Sequence, residues 1–179
     1  MKTRQLCYTA LFAALTAICS QLAIPTPWQV PISMSMLAVF LSGSLLGFKW
    51  GTAAQIVYLL LGMVGAPVFN GMRGGLQVLA GPTGGYLVGY VVAAAVIGLM
   101  MPLVNARWNL AIVLAVGLAA CYAFGTAWFM ILNHTALVPA LTLCVLPYLP
   151  GDLVKIAVTT WITWRVGVLR FEKAQLAQQ

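Results

Sequence analysis

Apolar runs long enough to cross a bilayer, nearly free of charge and parted by clusters of proline and glycine, leave this chain one medium in which to fold. The runs are Leu6–Ile24, the shorter Ser33–Phe48, Gly51–Ala66, Gly84–Val104, Leu110–Asn133 and Leu149–Val168, and about 20 apolar residues suffice to span the hydrocarbon core. With 63% of residues hydrophobic, 6% charged and a mean hydropathy of +1.00, the chain has no polar exterior to give a water-soluble domain. The runs lack the polar/apolar alternation of barrel strands, so they read as helices that satisfy their own backbone groups. Between them stand Pro25/Pro27/Pro31, Gly65/Pro67, Gly81/Pro82/Gly84/Gly85 and Pro147/Pro150/Gly151, residues that end helices and permit turns. The stretch 67–82 is too polar and glycine-rich to span and reads as a long loop. The expected fold is an all-α integral membrane protein, one domain over residues 1–179 with six transmembrane helices. The first run is too long and too polar at its end for a signal peptide, and no small-residue cleavage site precedes a soluble domain.

Charge sets the orientation. The formal net charge of +7 would suit nucleic acid if its location were ignored, but the bases sit between and beside the apolar runs. With six helices, Lys2, Arg4, Lys49, Arg107, Arg165, Arg170 and Lys173 fall on one side, and Arg73, with Lys155 just inside, falls on the other. The excess of Lys and Arg in cytoplasmic loops then places both termini in the cytoplasm, in a multi-pass protein of the cytoplasmic membrane. Any odd helix count spoils the separation.

The same map gathers the polar residues of interest. Asn70, Arg73 and Gln77 in the third connection, Tyr86 on helix four, and Asp152 and Lys155 on helix six all fall near the outer face at one depth. Asp152 is the sole carboxylate ahead of the C-terminal tail. A charge within a membrane helix costs about 2.5–3.5 kcal/mol on insertion scales, so such residues usually mark a site. Lys155 lies three residues on, on the same helix face. Two readings stand beside each other, a ligand site and a structural salt bridge pinning helix six. Pro150 and Gly151 also allow Asp152 to cap that helix, a role compatible with ligand binding. Asn70-Gly71-Met72-Arg73-Gly74-Gly75 has neither the frame nor the ending of a nucleotide loop. It reads as a connector or as backbone folded over a ligand, and Arg73 favours the latter, since its guanidinium grips carboxylates.

The remaining features are quieter. Ala10/Ala14 and Ala13/Ala17 form overlapping small-residue patterns that let another helix approach closely, inside the subunit or outside it. Trp28, Trp50, Trp108 and Trp164 sit near predicted boundaries as interfacial anchors. Cys7, Cys19, Cys121 and Cys144 are scattered through apolar segments and read as small buried residues, and the single His134 makes a histidine metal site untenable. There is no phosphate-binding loop, no Ser/His or Cys/His set and no carboxylate pair, so neither an intramembrane enzyme nor a self-powered proton pump is expected. No cofactor, metal or nucleic acid is expected.

Along nearly its whole length the chain resembles the BioY family, the biotin-specific substrate-binding subunits of energy-coupling factor (ECF) transporters. The resemblance is carried by Ala10 to Ala17, Val30-Pro31-Ile32-Ser33, Tyr58 to Gly62, Gly65 to Phe69, and Arg73-Gly74-Gly75. Its most specific parts are Gly81-Pro82-Thr83-Gly84-Gly85-Tyr86-Leu87-Val88-Gly89 and Pro147-Tyr148-Leu149-Pro150-Gly151-Asp152-Leu153-Val154-Lys155. One position departs: the family often carries a glutamine where this chain has Ser35, so that polar contact is not carried over. The resemblance implies a six-helix ECF substrate-binding bundle that catches biotin from outside and works with a transmembrane coupling protein and two cytoplasmic ATPases, or as a homo-oligomer. It implies a coupling face at Ala10, Ala14 and Ala17. A biotin site at Asn70, Arg73, Gln77, Tyr86, Asp152 and Lys155 agrees with both readings. The ureido group suits Asp152 and Asn70, and the carboxylate suits Arg73 or Lys155, although Lys155 can instead neutralise Asp152. Capture of another vitamin, or a membrane assembly role, are the competing functions.

Overall fold

The computed structural model describes residues 2–24 and 32–176. Seven α-helices account for most of them: α1 (Lys2–Gln21), α2 (Ser35–Met63), α3 (Leu76–Ala80), α4 (Gly84–Met100), α5 (Arg107–Asn133), α6 (Leu137–Cys144) and α7 (Leu149–Leu176). A two-residue antiparallel ladder, β1 (Ala23–Ile24) with β2 (Ile32–Ser33), ties the end of α1 to the start of α2. The prolines at 25, 27 and 31 and Trp28 lie outside the described residues, as do the side chains of Cys144, Arg170 and Lys173.

The expected second and third helices are the two arms of α2. They meet at Gly47, whose φ of 73° and ψ of −172° are non-helical and lie where a side chain is strained. The bend is a reversal. Gln55 Nε2 donates to Ser42 Oγ at 2.9 Å, whereas thirteen residues of straight helix would hold them about 20 Å apart. The same amide donates to Thr16 Oγ1 at 3.2 Å, so one buried glutamine joins α1 to both arms. Ser44 Oγ and Thr163 Oγ1, 2.9 Å apart, join the first arm to α7. In a lipid-like interior such side-chain bonds hold helices that hydrophobicity alone cannot sort.

Helices α4 and α5 run antiparallel and pack closely through glycines. A Cβ at Gly85 would stand 2.2 Å from the Trp128 Cβ, and one at Gly125 would stand 2.3 Å from the Tyr86 ring. The main core lies between these helices and the first arm of α2, around Val39, Phe40, Ala94, Ile97, Leu114 and Leu118.

Three helical stretches are long and apolar enough to cross a membrane, by length and composition: Ser35–Met63, Gly84–Leu103 and Arg107–Asn133. Other differences from expectation are local. The connection 67–82 contains α3, and α6 was not anticipated in the polar-to-apolar stretch after His134, which closes α5 in the left-handed conformation with φ of 50°. Pro102 ends α4 four residues early in a 3-10 turn at Met101–Leu103. Helix α7 runs eight residues past the expected Val168. Cys19 and Cys121 are buried as expected, but Cys7 is exposed, because it lies on the outward face of α1.

Candidate functional site

The ends of the bundle differ in kind. Ser20 and Gln21 at the end of α1 bond to the carbonyls of Val68 and Phe69, Lys155 bonds to the carbonyl of Ser33, and Tyr86 packs on Gly125. These contacts bring the end of α1, the start of α2, the 67–83 connection, the start of α4, the later half of α5 and the start of α7 to one end. At the other end the Gly47 bend packs against Gly98, and Arg107 lies over the Trp164 ring at 5.4 Å.

The gathered end encloses a cavity of about 530 Å³, within the 300–1,000 Å³ typical of small-molecule sites. Asp152 is its centre. Its position is set by α7, which starts at Leu149 with Pro150 in the first turn, where a missing N–H does no harm. Oδ1 accepts from Lys155 Nζ at 2.7 Å and Oδ2 accepts from Tyr122 Oη on α5. Lys155 Nζ also donates to the Ser33 carbonyl at 2.8 Å. Asp152 and Lys155 are 4% and 7% exposed, so the pair is desolvated. Burying it is costly unless further hydrogen bonds support it, and Tyr122 and the Ser33 carbonyl supply them. Each carboxylate oxygen keeps a free lone pair and the ammonium keeps a third proton. The capping role open to Asp152 is not realised: its N–H bonds the Tyr148 carbonyl at 2.9 Å and its carboxylate turns into the cavity.

Opposite lies the turn 69–73. Phe69 and Arg73 exchange backbone bonds (2.9 and 3.3 Å), and Gly71 and Met72 turn the corner at φ of 71° and 56°. Gln21 clamps it, donating to the Phe69 carbonyl at 3.0 Å and accepting from the Met72 N–H at 3.0 Å. Phe69 is buried edge-on against Tyr58, with centroids 5.6 Å apart. So held, Asn70 and Arg73 line the cavity. Asn70 Nδ2 is buried and has no hydrogen-bond partner among the described residues, a cost of about 1–3 kcal/mol that a ligand acceptor would remove.

Five of the six expected residues, Asn70, Arg73, Tyr86, Asp152 and Lys155, therefore line one cavity; Gln77 does not, and belongs to an adjoining outer space. One turn of α3 beyond the loop carries it away. The sequence reading missed Tyr58, Tyr90, Tyr122 and Tyr148, which with Tyr86 form an aromatic wall. A tyrosine in the middle of an apolar span, as Tyr122 is, needs a hydrogen-bond partner and was the available signal. Ser35 lines the cavity too, with its hydroxyl 3.1 Å from Ser33 Oγ, so helix two retains a polar contact without glutamine. On α1, Ala10 and Ala14 are exposed, whereas Ala17 is half-buried and packs inward with Ala13.

Long apolar helices around a polar and aromatic cavity at one end define a multi-pass membrane protein with room inside it for a small molecule. The BioY family model matches residues 1–170. Similar proteins include the biotin transporter BioY of Thermotoga maritima, 39% identical over 95% of this chain and 99% of that one. The biotin transporter BioY of Rhodobacter capsulatus is 36% identical over 93% of this chain and 95% of its own length. A crystal structure of the S-component for biotin from an ECF-type ABC transporter superposes with a TM-score of 0.84 at 28% identity, covering 92% of this chain and 91% of that one. The chain belongs to the BioY family.

Proposed function

We propose that this chain is a biotin-capturing subunit of an ECF-type uptake transporter and that the cavity is its biotin site. One observation carries the reading: a carboxylate held on both oxygens by Tyr122 and Lys155 shares a cavity with the amide nitrogen of Asn70, which has no partner among the described residues. The ureido ring of biotin presents two N–H donors and a carbonyl. Asp152 accepts from the donors, Asn70 donates to the carbonyl, and the tyrosine wall covers the apolar bicycle. The carboxylate of the ligand goes to Arg73, which has no ion pair among the described residues, because Lys155 is already committed to Asp152.

The chain acts as one domain of six spans, counting the arms of α2 separately. Arg4, Lys49, Arg107 and Arg165 lie away from the cavity, which favours cytoplasmic termini, the cytoplasmic membrane and a cavity that loads from outside. ATP hydrolysis falls to two cytoplasmic ATPases acting through a transmembrane coupling protein. Calorimetric titration of the purified protein with biotin and a panel of other vitamins tests the reading. One-to-one binding of biotin alone is expected; tighter binding of another vitamin, or none of biotin, overturns it.

Two substitutions probe its parts. Arg73→Gln should weaken biotin about tenfold or more, the scale of one charge-assisted hydrogen bond, and weaken neutral biotin amide, which offers this residue only a neutral acceptor, much less. Lys155→Gln should weaken both ligands alike. Equal losses for both ligands in Arg73→Gln would remove Arg73 from the carboxylate end. Ala10 and Ala14 face outward on α1 and fit the coupling protein. Ala14→Trp should lower uptake and assembly while biotin binding in detergent stays within about twofold of the parent; a joint fall in binding and thermal stability would mean that this face packs within the subunit.

A further inference from the structure

Outside the cavity lies an open vestibule of about 490 Å³, bordered by Met72, Gln77 and Gly81 among others. Arg73, Val78, Pro82 and Thr83 line both spaces, so the two adjoin along one wall. Asp152, Tyr122 and Lys155 line only the inner one. The junction is thus at the Arg73 end, remote from the carboxylate that anchors the inner ligand. Arg73 and Gln77 are both exposed, and the Arg73 guanidinium has neither an ion pair nor a hydrogen-bond partner among the described residues. The vestibule wall therefore offers N–H donors with no acid beside them.

We infer that the vestibule is a tail subsite and that the protein also binds biotin amides carrying a polar or anionic extension, the simplest being biotin joined to the side-chain amine of lysine. The inference rests on the biotin reading above. A carboxylate that reaches Arg73 stands at an opening and not against a closed wall. Turning it into an amide keeps the carbonyl as an acceptor for Arg73 and sends the attached chain outward. The free α-carboxylate of the lysine then meets the donors of Arg73 and Gln77, which replaces the charge lost at the amide. An extension ending in a cation lacks that compensation, so a terminal amine in place of the amino acid should bind less well.

The test is displacement of labelled biotin from the purified full chain by the lysine conjugate. The conjugate should bind within about tenfold of biotin, the span of one charge-assisted hydrogen bond. Met72 is 70% exposed and borders the vestibule but not the cavity. Met72→Trp should narrow the vestibule, weakening the conjugate at least about fivefold and leaving biotin within about twofold, less than one hydrogen bond is worth. A conjugate more than tenfold weaker than biotin on the parent protein, or equal losses of both ligands in Met72→Trp, overturns the subsite. Failure of biotin itself to bind would instead overturn the proposed function.

Discussion

Asp152→Asn is expected to weaken biotin about a hundredfold, the upper part of the range for a hydrogen bond to a charged group, about 1.5–3 kcal/mol. The substitution preserves shape and removes charge. Asparagine offers one oxygen where the carboxylate offers two, and that oxygen cannot serve both Lys155 and Tyr122 as well as a ureido N–H. The amide nitrogen would point a donor at a donor on one side. The Lys155 ammonium, 7% exposed, would keep the Ser33 carbonyl and at best a neutral amide oxygen, with no countercharge beside it. Breaking a buried pair from one side costs about 3–5 kcal/mol, so a lower melting point in detergent is expected together with the weaker binding. Calorimetry on the folded fraction separates the two effects. Affinity within twofold of the parent would take Asp152 out of the site and leave the pair as a brace for α7.

The second large effect is on the fold. Gly85→Leu should abolish or severely reduce folded protein, because the Cβ alone would stand 2.2 Å from the Trp128 Cβ and 2.9 Å from the Phe124 carbonyl. Helix backbone on one side and a bulky ring on the other leave nothing to yield except the separation of α4 and α5. Overpacking commonly costs about 1–3 kcal/mol where side chains can shift, and here the backbone must move. Separation would also carry Tyr86 away from Tyr122, their ring centroids now 6.5 Å apart, and so open the aromatic wall. Gly151→Ala is the matched control. A Cβ there meets nothing within 4 Å, and alanine in a helix is favoured over glycine by about 1 kcal/mol. Thermal unfolding and gel filtration in detergent should show the first variant aggregated or strongly destabilised and the second at or above the parent. A Gly85→Leu protein that melts and binds like the parent would mean that α4 and α5 do not approach as described.

Much of this was legible in the residues themselves, for physical reasons that can be stated locally. A chain with almost no charge over spans of membrane length must satisfy its backbone within helices, so both arms of α2 and the four other expected helix positions follow from hydropathy and from where proline and glycine stand. Asp152 announced itself by its isolation, since a lone carboxylate in an apolar stretch needs a partner, and Lys155 at i+3 was within reach. Proximity was legible too: counting spans put Asn70, Arg73 and Tyr86 with Asp152, and they line one cavity at one end of the bundle.

What hydropathy cannot carry is direction around a helix axis and approach across space. Gln77 was assigned to the cavity by depth alone, yet α3 turns it into the vestibule. Ala10, Ala14 and Ala17 share a spacing, but only the packing of α1 on the α2 arms decides that two face outward and one inward. Tyr122 has no motif, and it matters because Gly125 and Cys121 let α5 close on Tyr86 and Gly89 of α4, which brings its hydroxyl to a carboxylate 30 residues on. The sequence by itself determined the medium, the helices and the isolation of Asp152 and Lys155 in an apolar span, because these depend on the transfer of local segments from water to lipid. The tertiary structure alone decided which groups touch, because contacts between helices depend on rotation and ångström-scale packing that no single segment encodes.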